Sequence, residues 1–81
     1  MNPRAIDVKF KKPFSLVITF INNEVKEFNL IPYLNYPVYE KLQDEAYCRK
    51  ATVLGGIIVW DEETDLDPDT VYLESHSVIS V

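Results

Sequence analysis

Any chemistry in this sequence has to come from one histidine, one cysteine and thirteen carboxylates. His76 is flanked by Ser75 and Ser77. A Ser–His pair adjacent in sequence has no defined geometry for proton transfer, because triad partners come from separate elements. The expected role of His76 is therefore an exposed or locally hydrogen-bonded side chain rather than a general base. Cys48 precedes Arg49 and Lys50, whose charges would lower a thiol pKa. A free cysteine is nevertheless foremost a small buried hydrophobe, and that is the reading adopted for Cys48. One Cys and one His do not make a zinc ligand set. With Gly55 and Gly56 as its two glycines, the chain has neither G-x-G-x-x-G nor a phosphate loop.

The acidic segment 61–69 is the best metal candidate. Counting from Glu63, Asp65 is third, Asp67 fifth and Glu74 twelfth, as in a calcium loop. The sixth position is Pro68, where that loop needs glycine at positive φ. Capping of a following helix by Asp67 and Asp69, with the remaining acids solvated, explains the same residues. Paired carboxylates for glycosyl transfer need a cleft that holds them apart, and the run Asp61-Glu62-Glu63 reads as a solvated turn instead. No catalytic, cofactor-binding or metal-binding residue is expected, and the chain is not expected to be an enzyme.

The elements that must position these residues follow from patterning. With 81 residues and 47 % hydrophobic side chains, the chain is globular and expected to form one domain, with a core over about residues 4–75. Chains of this size bury roughly 60–65 % of their unfolded surface. Residues 5–10 alternate Ile6, Val8 and Phe10 with Asp7 and Lys9, a strand with one dry face. Lys11-Lys12-Pro13 breaks it. Residues 15–30 read as a hairpin. Its first arm, Leu16 to Ile21, is apolar on both faces, as in a central strand, and Asn22-Asn23 suits the tight reversal. The first thirty residues thus read as a three-stranded antiparallel meander.

Pro37 opens a short helix over residues 37–44, with Val38 and Leu42 on one face and Tyr39 beside them, and Ala46, Tyr47 and Cys48 add a turn. Residues 49–54, Gly55-Gly56 and Ile57-Ile58-Val59-Trp60 form a second hairpin. Asp67-Pro68 starts a short C-terminal helix that carries Val71 and Tyr72 to about Ser75. Residues 76–81 form a tail, with a final strand as one reading. The fold class is α+β: meander, short helix, second hairpin and C-terminal helix in a single two-layer domain.

Charge is unevenly spread. The total is −5, with +3 in residues 1–20 and −7 in residues 61–81. Arg4, Lys9, Lys11 and Lys12 are too few positive charges for phosphate binding to be the main activity. A lone Cys fits a reducing compartment. Met1-Asn2-Pro3-Arg4 lacks the apolar run of a signal peptide, and the longest nearly uncharged stretch falls far short of the roughly 20 residues that span a bilayer. The cytoplasm, without membrane association, is the expected location. Tyr33, Tyr36, Tyr39 and Tyr47 gather around the first helix, as core packing with surface hydroxyls or as a protein-binding patch. Tyr36, Tyr39, Trp60 and Tyr72 are the candidate partner-binding residues.

The order of Leu16 to Phe20, Asn22-Asn23, Phe28-Asn29-Leu30, Pro32, Leu42, Gly56-Ile57-Ile58-Val59-Trp60 and Asp65-Leu66-Asp67-Pro68-Asp69 with Tyr72 resembles a small bacterial family, domain of unknown function 2442. The stretch from Trp60 to Tyr72 is its most specific part. Asn23 stands where the family often has glycine, and Asp61-Glu62-Glu63 where it often has a Gly or Asn turn. The resemblance implies an α+β fold and no established catalytic residues. It also implies a gene arrangement beside another small protein, like that of toxin–antitoxin pairs. Three functions follow. The first is a protein-interaction module, an antitoxin-like partner of a neighbouring gene product or a homodimer through a sheet edge, with residues 78–81 as a strand donor. The others are a nucleic-acid-associated regulator and a small-molecule binder.

Overall fold

Period-two alternation through residues 5–29 does form strands. The computed structural model describes residues 2–77. In chain order these are β1 (Ala5–Lys11), β2 (Ser15–Phe20), β3 (Val25–Asn29), a 3-10 turn Ile31–Tyr33 and a 3-10 helix Pro37–Gln43. They continue with α1 (Glu45–Cys48), β4 (Thr52–Leu54), β5 (Ile57–Asp61), β6 (Thr64–Asp65), α2 (Pro68–Glu74) and β7 (His76–Ser77). Two antiparallel sheets result, ordered β1-β2-β3-β7 and β4-β5-β6.

β2 is central, as its doubly apolar sequence requires. Leu16 and Ile18 are fully buried and Phe20 nearly so. Phe10 and Phe28 lie opposite Leu16 on the two neighbouring strands, so their side chains share its face. The β2–β3 reversal puts Asn23 at φ 71°. The Asn22 side chain accepts from Glu24 N at 3.1 Å and fixes the turn. Asparagine thus does there what glycine would do.

The face of β1 is corrected at one end. Ile6, expected inward with Val8 and Phe10, is 54 % exposed, while Ala5 is buried. The register shifts between Ala5 and Asp7, so Ile6 is the extra residue of a β-bulge and alternation reverses there.

The first helix is also corrected. Residues 37–43 form a 3-10 helix, not an α-helix. With three residues per turn, position i+3 rather than i+4 shares a face. Tyr39 therefore sides with Leu42, which is fully buried, while Val38 is 58 % exposed. Asp44 then caps α1 by accepting from Ala46 N, and Cys48 ends that turn in the core. The strand expected over residues 49–54 shortens to Thr52–Leu54.

The second hairpin turns at Gly55 and Gly56, with φ +61° and +84°. Beside it, Ala5 N donates to Gly56 O at 3.4 Å, which ties β1 to the second sheet. A Cβ on Gly56 would lie 2.8 Å from Arg4 Cβ. Gly56→Ala is expected to cost about 1–2 kcal/mol through left-handed strain and displacement of Arg4. An unchanged urea midpoint would contradict this.

Glu62 and Glu63 form the exposed turn expected there, and Thr64–Asp65 then pairs with β5 as a third strand. Asp67 then caps α2, its carboxylate accepting from Thr70 N at 2.9 Å, with Pro68 in the first turn. The core joins Leu16, Ile18, Phe20 and Phe28 of the first sheet to Ile58 and Trp60 of the second. Leu42, Cys48, Leu66 and Val71 fill in between. The tail expectation for residues 78–81 lies outside the described residues, but His76–Ser77 does pair with β3.

Candidate functional site

Alternation along β5 divides its side chains between core and solvent. Ile58 and Trp60 turn inward; Ile57, Val59 and Asp61 turn outward. Leu54, opposite Ile57 on β4, and Asp65, opposite Val59 on β6, share that outer face. These residues and Glu62 line a groove of about 450 Å³. Its floor is Leu54, Ile57 and Val59, and Leu54 is 70 % exposed. Its far end is acidic.

The groove acids differ in how they are held. Asp61 accepts from the Tyr47 hydroxyl and from Glu63 N at 2.8 Å, with Lys41 Nζ at 3.7 Å. The tyrosine hydrogen bond, then the backbone one, pull its carboxyl down to about 2. Glu62 and Asp65 have no ion-pair partner among the described residues. That end of the groove therefore presents uncompensated negative charge.

The expected partner-binding residues do not form one surface. Tyr36 is exposed and packs edge-on against Tyr33, with ring centroids 6.0 Å apart. Tyr39 also meets Tyr33, at 6.1 Å, and its hydroxyl donates to Asp65 O at 3.3 Å. These two form a ledge beside the 3-10 helix. Trp60 is a core residue, 9 % exposed, and its indole N–H donates to Cys48 O at 3.0 Å. That inward hydrogen bond withdraws Trp60 from any partner surface. Tyr72 is half-buried, edge-on to Phe20 at 5.1 Å, with its hydroxyl 2.5 Å from Glu24 Oε1. Lys26 Nζ lies 3.8 Å over the Tyr72 ring and donates to Tyr72 O, so Tyr72 is a structural hub.

A family model described as "Protein of unknown function (DUF2442)" matches residues 5–77. The chain belongs to this family. No curated protein and no solved structure matches it. The match covers both sheets and both α-helices of the DUF2442 chain.

In this DUF2442 chain the reactive side chains occupy structural positions. Burial, then the nearby Glu45 charge, push the Cys48 thiol up to about 11. Arg49 does not serve the thiol; it pairs with Glu45 at 3.2 Å and stacks 4.9 Å from the Phe10 ring. His76 is exposed on β7, opposite Glu27, while Ser75 is buried and donates to Tyr72 O. Of the calcium-loop positions, Asp65 lies on β6, Asp67 caps α2, and Glu74 accepts from the Tyr33 hydroxyl. The basic residues are dispersed: Arg4 lies across Gly56, and Lys11 bridges to Glu27 at 3.0 Å. Among the described residues, no helix is long and apolar enough to cross a membrane.

Sequence reasoning missed the groove because Ile57-Ile58-Val59-Trp60 is apolar at every position. Its usable signal was Leu54 at one side of a Gly-Gly turn and Asp61-Glu62 beyond Val59.

Acid sensitivity follows from the same carboxylates. Glu24 is lowered chiefly by Tyr72, Glu27 by Lys11, Asp61 by Tyr47 and Asp67 by the Thr70 backbone. A lowered folded pKa stabilises above the unfolded value, about 4 for these groups, and that contribution disappears as pH falls through the folded value. Urea midpoints should hold from pH 7 to about 5 and fall steadily toward pH 2. Tyr47→Phe should flatten the lowest part of the profile. A profile level down to pH 2 would remove the argument.

Proposed function

We propose that this chain is a protein-interaction module, not an enzyme. The observation that carries this reading is the apolar strip Leu54, Ile57 and Val59 on the outer face of the second sheet. A small domain gains by burying such side chains, and an exposed apolar strip with a polar edge is the usual form of a docking surface. The reactive groups support the same conclusion. Cys48 is in the core, His76 is at a sheet edge, and Glu24, Asp61 and Glu74 each accept a tyrosine hydroxyl. A small-molecule reading fits less well, because a groove floored by a largely exposed Leu54 does not enclose a ligand.

The partner under this reading is another small protein, in an antitoxin-like pairing with a neighbouring gene product, and the exposed Tyr36 with the half-buried Tyr39 beside it adds contact area. Action in the cytoplasm agrees with a single buried thiol. The test is co-expression of the tagged chain with the adjacent gene's product, followed by size-exclusion chromatography with light scattering. A stoichiometric complex is expected. Separate elution of both proteins at micromolar concentration would overturn the proposal.

A further inference from the structure

We infer that the groove on the second sheet receives a segment of the partner in which apolar side chains are followed by lysine or arginine. This inference rests on the interaction-module reading and gives that reading an address and a chemistry. The floor, Leu54, Ile57 and Val59, is apolar and spans β4 and β5. The opposite end is formed by Asp61, Glu62 and Asp65, and no basic side chain lines the groove. Asp61 already faces Lys41, whereas Glu62 and Asp65 have no cation among the described residues.

The polarity of the groove sets the polarity of its occupant. Neighbouring strands are about 4.8 Å apart, so three strands span roughly 10 Å, the length of about three extended residues. Apolar side chains cover Leu54, Ile57 and Val59, and the cations that follow reach Glu62 and Asp65. The face, not the β4 edge, makes the contact, because β1 lies against β4, and Ala5 N donates to Gly56 O in the turn that follows it. Charge supplies orientation and a faster encounter; the apolar floor supplies most of the affinity.

The probe is a fluorescein-labelled peptide, Leu-Val-Leu-Gly-Lys-Lys-Lys, titrated with the full chain and read by anisotropy. Two control peptides carry Glu in place of Lys, or Ser in place of Leu and Val. The variants are Leu54→Ser and the double change Glu62→Lys with Asp65→Lys. All three positions are exposed, so circular dichroism should match the parent protein. Each variant, and each control peptide, should weaken binding at least tenfold, and raised salt should weaken the parent interaction. Equal binding of the Ser peptide would mean charge alone is sensed and would overturn the inference. Equal binding by both variants would do the same. If the parent chain self-associates and the variants do not, a second copy is the occupant and the basic partner is ruled out. If the complex with the neighbouring gene product survives both variants unchanged, the module reading stands and the groove assignment fails. If peptide binding follows the expected order but no complex forms, the chemistry assigned to the groove stands and the proposed pairing with the neighbouring gene product is overturned.

Discussion

Phe28→Ala is expected to leave the protein substantially unfolded at 37 °C. Phe28 is 1 % exposed, lies opposite Leu16 on the central strand, and stacks on Tyr33 with centroids 5.3 Å apart. Removing a buried phenyl ring costs about 3–5 kcal/mol, since the lost transfer energy adds to the cavity left behind. Collapse around the hole is restricted, because Leu16 on β2, Leu30 just after β3 and Leu42 on the 3-10 helix are held in three separate segments and are fully buried themselves. A chain of 81 residues has a total stability of about 4–12 kcal/mol at typical per-residue values, so this one change removes a large share. Urea denaturation followed by circular dichroism gives the comparison, with Leu54→Ala as the exposed control. A loss under about 1 kcal/mol for Phe28→Ala would show that the meander is not the centre of the core.

The second large effect concerns the single thiol. Cys48 is fully buried, and its thiol is pushed up to about 11. Only the thiolate reacts, so at pH 8 the folded protein holds roughly a thousandth of its thiol in reactive form, before any account of access. Reaction with an aromatic disulfide reagent should therefore be at least about 10³-fold slower in buffer than in 8 M urea, because modification waits for opening of the core. Phe28→Ala should restore much of the rate, which links the two experiments. Stoichiometric reaction within seconds in native buffer would place Cys48 outside the core. The same raised value has a consequence in base. A thiol that ionises later in the folded chain than in the unfolded one stabilises below the unfolded pKa, and that contribution is lost as pH rises toward about 11. Tyr33, pushed up to about 12 mainly by its hydrogen bond to Glu74, acts in the same direction. Stability should thus fall on both sides of neutrality, on the acid side through carboxylates and on the basic side through Cys48 and Tyr33.

Both experiments also bear on what Trp60 does. Its large apolar surface and its place at the end of a strand made it a candidate for partner contact, yet its N–H is used by Cys48 O. Tyr72 shows the same shift from expected surface to internal hub, through Phe20, Lys26 and Glu24. Tyr36 is exposed. The DUF2442 membership agrees with the resemblance and the α+β class with the patterning, while the groove on the second sheet is visible only in the geometry.

Features settled within a few residues were legible in the sequence by itself. The strands of the meander, Asn23 at positive φ, the Gly55-Gly56 turn and the Asp67-Pro68 helix start all depend on local sterics and short-range hydrogen bonds. Tertiary structure alone decided the rest. In Ile57-Ile58-Val59-Trp60 either face is apolar enough to be buried, and the one that packs into the core is the one whose Trp60 N–H also reaches Cys48 O, twelve residues away. The bulge that turns Ile6 outward and the tyrosine–carboxylate pairs that join Tyr33 to Glu74 and Tyr72 to Glu24 likewise exist only once distant segments meet. Period-two patterning names two faces of a strand; only packing against the rest of the chain decides which of them is left to solvent, and so where this protein has a groove.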